Sequence, residues 1–243
     1  MRVVINERVV NRNRKIAQYA FFITLGILVL GLFVTNAAPT NALLALAPLV
    51  VLPIALGATL YSVRMANLWL REPRPDAALR DGLKGLSSRS VIYHYYLPAH
   101  HVLIAPQGVF TFTVRPQEGQ FTVNGTKWHK AGGPFAKFMT FFRQDGIGKP
   151  HRDAERDAEA VQAFLDRVLP DSGVHVQPVI AFISPYAELE VIDSPIPVVH
   201  ADSKKRPSLK QFLREIKKQE DTATLNAEQI RLLEEAAGIP EAA

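Results

Sequence analysis

An uncharged apolar block dominates the sequence and limits what the chain can fold into. It runs from Ile16 to Val63, which is 48 residues without one Asp, Glu, Lys or Arg. A membrane-spanning helix needs about 20 apolar residues to cross roughly 30 Å of hydrocarbon. The block is therefore long enough for two spans and a turn. We expect it to form a transmembrane α-hairpin.

A cluster of Asn and Pro divides the block in two. Residues 36–41 contain two asparagines and one proline, which break helices and tolerate water. This predicts a first span over residues 16–35 and a second over residues 42–63. Pro48 and Pro53 are expected to kink the second span, which a membrane helix tolerates when neighbouring groups satisfy the freed carbonyls.

The charges around the block predict its orientation. Residues 1–15 carry five positive side chains and one Glu, whereas the turn carries no charge. Arg64 and Arg71 follow the second span. Because positive residues mark the cytoplasmic side, we expect a multi-pass protein of the cell (inner) membrane with both termini cytoplasmic. The alternative is a cleaved signal peptide, but its apolar core would have about 19 residues against the usual 7–15.

The remaining residues have the composition of a folded domain. Residues 64–243 carry 23 positive and 22 negative side chains, so the pI near 9.5 comes mainly from residues 1–15. The chain has no cysteine, which excludes disulfide scaffolds, thiolate zinc sites, iron–sulfur clusters and cysteine nucleophiles. It also has no Walker loop, Gly-x-Ser-x-Gly or His-Glu-x-x-His motif. We expect a linker at 64–75 and a cytosolic domain at 76–243.

Hydrophobic periodicity in this domain predicts an α/β or α+β fold with one run of strands. The predicted strands are 91–97, 101–105, 109–114, an Asn-Gly hairpin of 120–123 with 126–128, 174–183 and 196–199. The predicted helices are one that begins at Asp76, 153–169, 208–218 and 226–237. The long apolar run at 174–183 indicates a strand that is buried on both faces.

Five short motifs follow one another in the same domain. They are His100-His-Val-Leu-Ile-Ala-Pro-Gln-Gly-Val-Phe110, Gly125-Thr-Lys-Trp128, Lys149-Pro-His-Arg-Asp153, Gln177-Pro-Val-Ile-Ala-Phe182 and Leu225-Asn-Ala-Glu-Gln-Ile230. In this order they resemble the motifs of the NERD (nuclease-related) domain family, an offshoot of the PD-(D/E)xK nuclease superfamily. The Pro-x-Gly-Val-Phe turn is the most specific of them. The resemblance covers about two-thirds of the chain and implies a restriction-endonuclease-like mixed sheet.

The sequence departs from the resemblance where the nuclease site would lie. The family's metal-binding Asp and Glu fall on His100 and Thr113, its Lys on Arg115, the Glu of its first helix on Asp76, and the Gln of its next helix on Asp153. Mg²⁺ prefers hard oxygen ligands, and imidazole and hydroxyl groups replace carboxylates poorly. The implied catalytic site is therefore degenerate, and Mg²⁺ is the expected cofactor only if nuclease activity survives.

Two further groups of residues are candidate sites. His94, His100, His101 and His129 could form a transition-metal site. Adjacent strand residues point to opposite faces, however, so His100 and His101 cannot both face one ion without a bulge. We therefore expect His100 and His101 to be two unrelated polar residues of a strand.

The second group is a basic and aromatic stretch at 115–149, which has six positive and two negative side chains. It predicts a groove for single-stranded nucleic acid, a segment that lies on anionic lipid, or core aromatics beside solvated lysines. The candidate binding residues are Lys127, Trp128, Lys130, Lys137 and Arg143. Farther on, residues 203–218 hold seven positive side chains and residues 219–243 hold six acidic ones. We expect these two blocks to pair.

These observations favour a membrane-anchored nuclease-related domain that is catalytically inactive and acts as a binding or scaffold module. Its expected partners are the lipid bilayer and either a nucleic acid or a protein. One alternative is a divergent metal-dependent nuclease that uses Asp76, His100, Arg115 and Asp153. The other is a scaffold that associates with anionic lipid.

Overall fold

The chain forms two units. The computed structural model describes residues 1–37, 46–133, 139–140, 142–143, 146–218 and 224–240. The sheet unit comprises Met1–Asn6, Pro75–Ala131 and Ile147–Ala243, and the hairpin unit comprises Glu7–Arg74 and Gly132–Gly146. The expected domain at 76–243 therefore gains residues 1–6, whereas residues 132–146 belong with the hairpin.

Two long helices make up most of the hairpin unit. Helix α1 is Glu7–Ala37 and helix α2 is Ala47–Trp69, and both are long and apolar enough to cross a membrane. The centre of the predicted turn lies outside the described residues. Pro53 lies inside α2 as expected. Pro48 instead lies in the first turn of α2, where a helix tolerates proline without a kink.

Small side chains lie between the two helices. Ala17, Ala20 and Thr24 of α1 are buried, as are Ala55 and Ser62 of α2. The Thr24 hydroxyl donates a hydrogen bond to the carbonyl oxygen of Ala58 at 3.1 Å. Small residues and interhelical hydrogen bonds are typical of helix pairs in membranes, where close backbone approach replaces the hydrophobic effect.

The outer surfaces of both helices are apolar. Eleven large apolar side chains of α1, between Ile16 and Phe33, are exposed, and so are seven of α2, between Leu49 and Leu68. A water-soluble protein rarely exposes an apolar surface of this extent.

The sheet unit contains a six-stranded mixed sheet and a three-stranded sheet. In chain order the strands are β1 (Arg2–Ile5), β2 (Val91–His94), β3 (His101–Ala105), β4 (Gly108–Arg115), β5 (Gly119–Asn124), β6 (Lys127–Lys130), β7 (Val176–Phe182), β8 (Ala187–Asp193) and β9 (Val198–His200). The helices are α3 (Pro75–Gly82), α4 (Pro150–Val168), α5 (Leu209–Ile216) and α6 (Ala227–Ala236). The large sheet has the order β1-β2-β3-β4-β7-β9 and the small one β6-β5-β8.

The turn at residues 106–108 predicts antiparallel strands at 102–105 and 109–114, with 174–183 in the same sheet and helix 153–169 packed on it, and the centre of the large sheet confirms this arrangement. β3 and β4 are antiparallel neighbours in the register Val102↔Thr111, joined by the turn at Pro106 and Gln107. β4 pairs in parallel with β7 in the register Thr113↔Ile180. Helix α4 connects the small sheet to β7 and packs against both β4 and β7. The mixed α/β architecture expected from the sequence is therefore correct.

The two faces of the large sheet are covered by different helices. On one face Phe110 and Phe112 of β4 pack with Leu79 of α3 and Leu213 of α5. On the other face Val109 packs in a cluster that contains Leu165 of α4 and Leu233 of α6. Because side chains alternate along a strand, the odd-numbered residues of β4 face α4 and the even-numbered residues face α3 and α5.

Strand β1 was not anticipated from the sequence. It pairs in parallel with β2, from Arg2↔Val91 to Ile5↔His94. The Arg2 guanidinium forms an ion pair with Glu234 of α6. The Tyr93 hydroxyl donates to the same carboxylate at 2.6 Å. The first residues of the chain are thus part of the edge of the sheet, and Glu234 of the acidic block pairs with Arg2.

Candidate functional site

Four polar side chains meet between strand β4 and helix α4. Thr113 and Arg115 lie two residues apart on β4, on the face that α4 covers, and Asp153 and Asp157 lie one turn apart on α4. The Thr113 hydroxyl donates to Oδ2 of Asp157 at 2.8 Å. Arg115 donates from a terminal guanidinium nitrogen to Oδ2 of Asp153 at 2.5 Å. We call these four residues the β4–α4 cluster.

Burial makes these contacts stronger than surface ion pairs. The Arg115 side chain is 13% exposed and the Asp153 side chain 35% exposed, so the pair is only partly screened by water. Hydrogen bonds to charged groups contribute about 1.5–3 kcal/mol, roughly twice as much as neutral ones. The Asp153 carboxylate is therefore already bound to a guanidinium.

Asp76 and two histidines lie on the opposite face of the same sheet. Asp76 is buried in the first turn of α3. His94 and His101 pair across β2 and β3, and their Nδ1 atoms are 2.8 Å apart. Strand alternation places both rings on the face of Ile92 and Leu103, which belong to the core under α3.

Burial makes this histidine pair hard to protonate. It lowers the pKa of His94 to about 4, although the charge of Asp76 acts in the opposite direction. Burial also lowers the pKa of His101 well below its usual value, with a further contribution from His94. Two neutral rings can share one hydrogen bond, in which one Nδ1 donates and the other accepts. The pair is a structural contact of the core at neutral pH.

The sequence-predicted catalytic positions therefore do not converge. Thr113, Arg115 and Asp153 come together, whereas Asp76 lies across the sheet. His100 is exposed and precedes β3. Its ring contacts the ring of the buried His101, with 6.2 Å between the two centroids. Within the residues that the structure describes, no three His, Cys, Asp or Glu side chains are placed to hold a metal ion.

Trp128 is a core residue of the small sheet. Its ring stacks on Phe182 at 5.8 Å between centroids, with 29° between the ring planes. Its indole nitrogen donates to Nδ1 of His151 at 2.9 Å. Lys130 lies over the ring of Phe121 at 5.5 Å. For Trp128, which is partly buried against this core, these contacts favour the interpretation as a core aromatic over a stacking groove.

The other candidate binding residues are spread over the chain. Lys127 is exposed on β6. Arg143 belongs to the hairpin unit, where its carbonyl oxygen accepts a hydrogen bond from Asn67 at 2.8 Å. Lys137 lies outside the described residues. The basic and aromatic stretch is thus divided between the two units of the structure.

A hydrogen-bond chain around His151 escaped the sequence analysis. Because the Trp128 indole can only donate, Nδ1 of His151 accepts and the proton of the neutral ring lies on Nε2. Nε2 is 2.9 Å from the Ser194 hydroxyl, which in turn donates to the carbonyl oxygen of Ile196 at 2.5 Å. Burial lowers the pKa of His151, in agreement with a neutral ring. The chain links β6, α4 and the segment before β9.

Comparison with known proteins gives no match. No protein-family model matches the sequence, and no curated protein or solved structure is significantly similar to it. The site must therefore be interpreted from its own geometry.

Proposed function

We propose that this chain is a multi-pass membrane protein whose sheet unit is a cytosolic nuclease-related domain without catalytic activity. In this proposal the domain acts as a binding or scaffold module. The observation that carries it is the ion pair between Arg115 and Asp153, which lies beside Thr113, where the resemblance implies a metal-binding carboxylate.

The order of elements supports the nuclease-related part of the proposal. Helix α3 is followed by the antiparallel strands β2, β3 and β4, then by the β5–β6 hairpin, helix α4 and the parallel strand β7. This is the order that the resemblance to the NERD family implies. The Pro-x-Gly-Val-Phe motif forms the turn between β3 and β4, and Trp128 of the Gly-x-x-Trp motif lies in the hairpin.

The β4–α4 cluster supports the lack of catalysis. Metal-dependent hydrolysis of a phosphodiester needs carboxylates that bind the cation and neutralise developing charge. Here the strand supplies a hydroxyl and a guanidinium, and each of the two aspartates is hydrogen-bonded to one of them. A cation that entered would have to displace Arg115 and would face its positive charge at close range.

Three observations support insertion of the hairpin into a membrane. The outer faces of α1 and α2 are apolar and exposed, and small residues line their contact. In addition, β1 and β2 are neighbours in one sheet, so they lie on the same side of any membrane. The chain between them must then cross an even number of times, and α1 and α2 supply two crossings. A signal peptide cleaved near residue 38 would remove β1 from the sheet.

Nuclease assays on the full chain in detergent test the catalytic part. We expect no cleavage of single- or double-stranded DNA or RNA with Mg²⁺ or Mn²⁺. The alternative is the divergent nuclease that uses Asp76, His100, Arg115 and Asp153; Asp157, the second aspartate of the β4–α4 cluster, is tested with Asp153. Cleavage that is lost in Asp153→Ala and Asp157→Ala variants but retained in the Glu159→Ala control, which is exposed on the same helix, would establish that alternative.

Cysteine labelling tests the topology, and the cysteine-free chain gives no background. We expect an impermeant maleimide to label Thr40→Cys in intact cells and Ser88→Cys only after permeabilisation. Labelling of Ser88→Cys in intact cells, with Thr40→Cys protected, would place the sheet unit on the outer side and end the proposal of a cytosolic domain.

A further inference from the structure

A pocket rimmed by basic residues opens on the face of the large sheet that α3 and α5 cover. It has a volume of about 260 Å³ and lies between the end of α3, the β3–β4 turn and α5. Its polar lining comprises Lys84, Ser87, Arg89, Gln107, Lys210, Arg214 and Lys217. We call it the α3–α5 pocket. It lies across the sheet from the β4–α4 cluster and is independent of the function proposed above.

The charge of this pocket is unusually one-sided. Five of its lining residues are basic and none is acidic. Lys84 also pairs with Asp81 at 3.0 Å, on the exposed surface beside the pocket. Like charges that share a concave surface repel one another and raise the local concentration of anions. The opening therefore attracts negatively charged ligands.

The helix dipole explains only part of this arrangement. Cations near the C-terminus of a helix are favourable by about 0.3–1 kcal/mol, which accounts for Arg214 and Lys217 at the end of α5. Lys210 lies instead in the first turn of α5, where a positive charge opposes the dipole. Arg89 lies in the loop before β2. Both residues still line the same pocket.

Gln107 gives the pocket a buried polar group without a partner. The residue is 8% exposed, and its Oε1 has no hydrogen-bond partner among the described residues. An unsatisfied buried amide costs about 1–3 kcal/mol. Gln107 lines the pocket, and its side-chain amide carries two N–H donors that can bind a ligand oxygen.

Glycine keeps the space beside Lys210 open. Gly85 lines the pocket with a φ of +90°, and a Cβ there would lie 3.7 Å from Nζ of Lys210. A larger side chain would occupy the space next to this ammonium group. The pocket thus combines an open backbone, several cations and a neutral amide.

From these features we propose that the α3–α5 pocket binds a compact ligand that carries one or more phosphate groups. Lysine ammonium groups act as point charges for phosphate, arginine forms paired hydrogen bonds with its oxygens, and the Gln107 amide donates to a further oxygen. The volume is slightly below the roughly 300 Å³ at which pockets for drug-sized ligands begin. The site therefore suits a diphosphate or a small phosphomonoester, either free or as a lipid headgroup.

Calorimetric titration of the full chain in detergent with inorganic pyrophosphate tests the proposal. We expect saturable binding at one site. Lys210→Met and Arg214→Met should each weaken the binding about tenfold or more, because each removes a hydrogen bond to a charged group. The Lys204→Met variant is the matched control, since Lys204 is exposed and lies outside the pocket. An absence of saturable heat at millimolar pyrophosphate, or an equal loss in the control, would overturn the proposal.

A Gln107→Leu variant separates binding from stability. It removes the buried unsatisfied oxygen, so the thermal stability should stay the same or rise, whereas the affinity for pyrophosphate should fall. Unchanged affinity in a folded Gln107→Leu protein would contradict a phosphate held at this depth.

Nanodiscs distinguish the two sources of the phosphate. The titration is repeated in discs of phosphatidylcholine alone and in discs that also contain phosphatidic acid. Weaker pyrophosphate binding in the second kind of disc, with no such difference between the two kinds for the Lys210→Met protein, assigns the pocket to a lipid headgroup. Equal binding in both kinds assigns it to a soluble phosphate.

Discussion

Arg115 of β4 and Asp153 of α4 form an ion pair, with one guanidinium nitrogen 2.5 Å from Oδ2 of the carboxylate. The resemblance to the NERD family assigns these two positions to a Lys and a Gln of a nuclease site. In this protein they join a central strand to the helix that covers it. The pair is thus a structural cross-link between the sheet and α4.

Loss of Asp153 should therefore cost stability. In an Asp153→Ala variant Arg115 remains largely buried without its carboxylate, and we expect a loss of about 1–3 kcal/mol in the free energy of unfolding. Urea denaturation of the full chain in detergent measures it. Arg156→Ala is the control, because Arg156 is 74% exposed and 3.7 Å from Asp157, and such pairs contribute less than about 1 kcal/mol. Equal effects of the two variants would show that the Arg115–Asp153 pair is no stronger than a surface pair.

The helical hairpin should be sensitive to side-chain size at Gly31. A Cβ at this position would lie 2.7 Å from Cγ1 of Val51, whereas a Cβ at Gly26 would meet nothing within 4 Å. We expect Gly31→Val to separate α1 from α2 and to lower the melting temperature in detergent, because close packing stabilises membrane helix pairs. Gly26→Val should leave it nearly unchanged. A Gly31→Val protein as stable as the wild type would mean that the helices do not pack as described.

Gly82 should not tolerate a side chain, because it lies at the end of α3 against Ala201, which follows β9. A Cβ there would overlap the carbonyl oxygen of Ala201, which is backbone and cannot rotate away. We expect Gly82→Ala to destabilise the sheet unit by about 1–3 kcal/mol through overpacking. Gly133→Ala, which meets nothing within 4 Å, is the control, and thermal unfolding measures both. A neutral Gly82→Ala would place α3 farther from Ala201 than the structure does.

Acid should destabilise the sheet unit over a defined range. Burial lowers the pKa of His94 and of His200 to about 4, whereas an unfolded histidine has a pKa near 6.5. Between these values the unfolded chain binds more protons than the native chain, so stability is complete above about pH 6.5 and falls as the pH drops towards 4. Each such histidine contributes a slope of up to about 1.4 kcal/mol per pH unit.

A His200→Phe variant measures how much of the loss of stability in acid comes from His200. Nδ1 of His200 is buried without a hydrogen-bond partner among the described residues, so phenylalanine removes an unsatisfied atom together with the titration. We expect the slope of stability against pH to decrease by the share of one histidine, measured by urea denaturation at several pH values. An unchanged slope would mean that His200 is protonated equally well in both states.

Local patterns predicted the elements whose neighbours are close in sequence. The Pro106-Gln107-Gly108 turn predicts that β3 and β4 are adjacent, and the apolar face from Ala154 to Leu165 predicts α4. Asp157 was not singled out as a site residue, although its distance of four residues from Asp153 places both on one helix face. Strand β8 was missed because the prolines and Ser184 around it favour a loop.

Other features depend on packing between distant segments. The Trp128–His151–Ser194 chain needs three elements in place, and no spacing within one of them indicates it. The Arg2 and Glu234 side chains are 232 residues apart. Strand β1 has only four residues within a basic segment, and its partner follows the whole hairpin. The separation of Asp76 from Arg115 also depends on which strand face each helix covers.

The pairing of β1 with β2 also sets an order of events during synthesis. Arg2 pairs with Val91, so β1 leaves the ribosome 89 residues ahead of its partner. At about 5–20 residues per second this delay is roughly 4 to 18 seconds. During that time both apolar helices emerge while β1 waits without a sheet. The edge of the domain can close only after the hairpin has been made, which couples formation of the sheet to that of the helical hairpin.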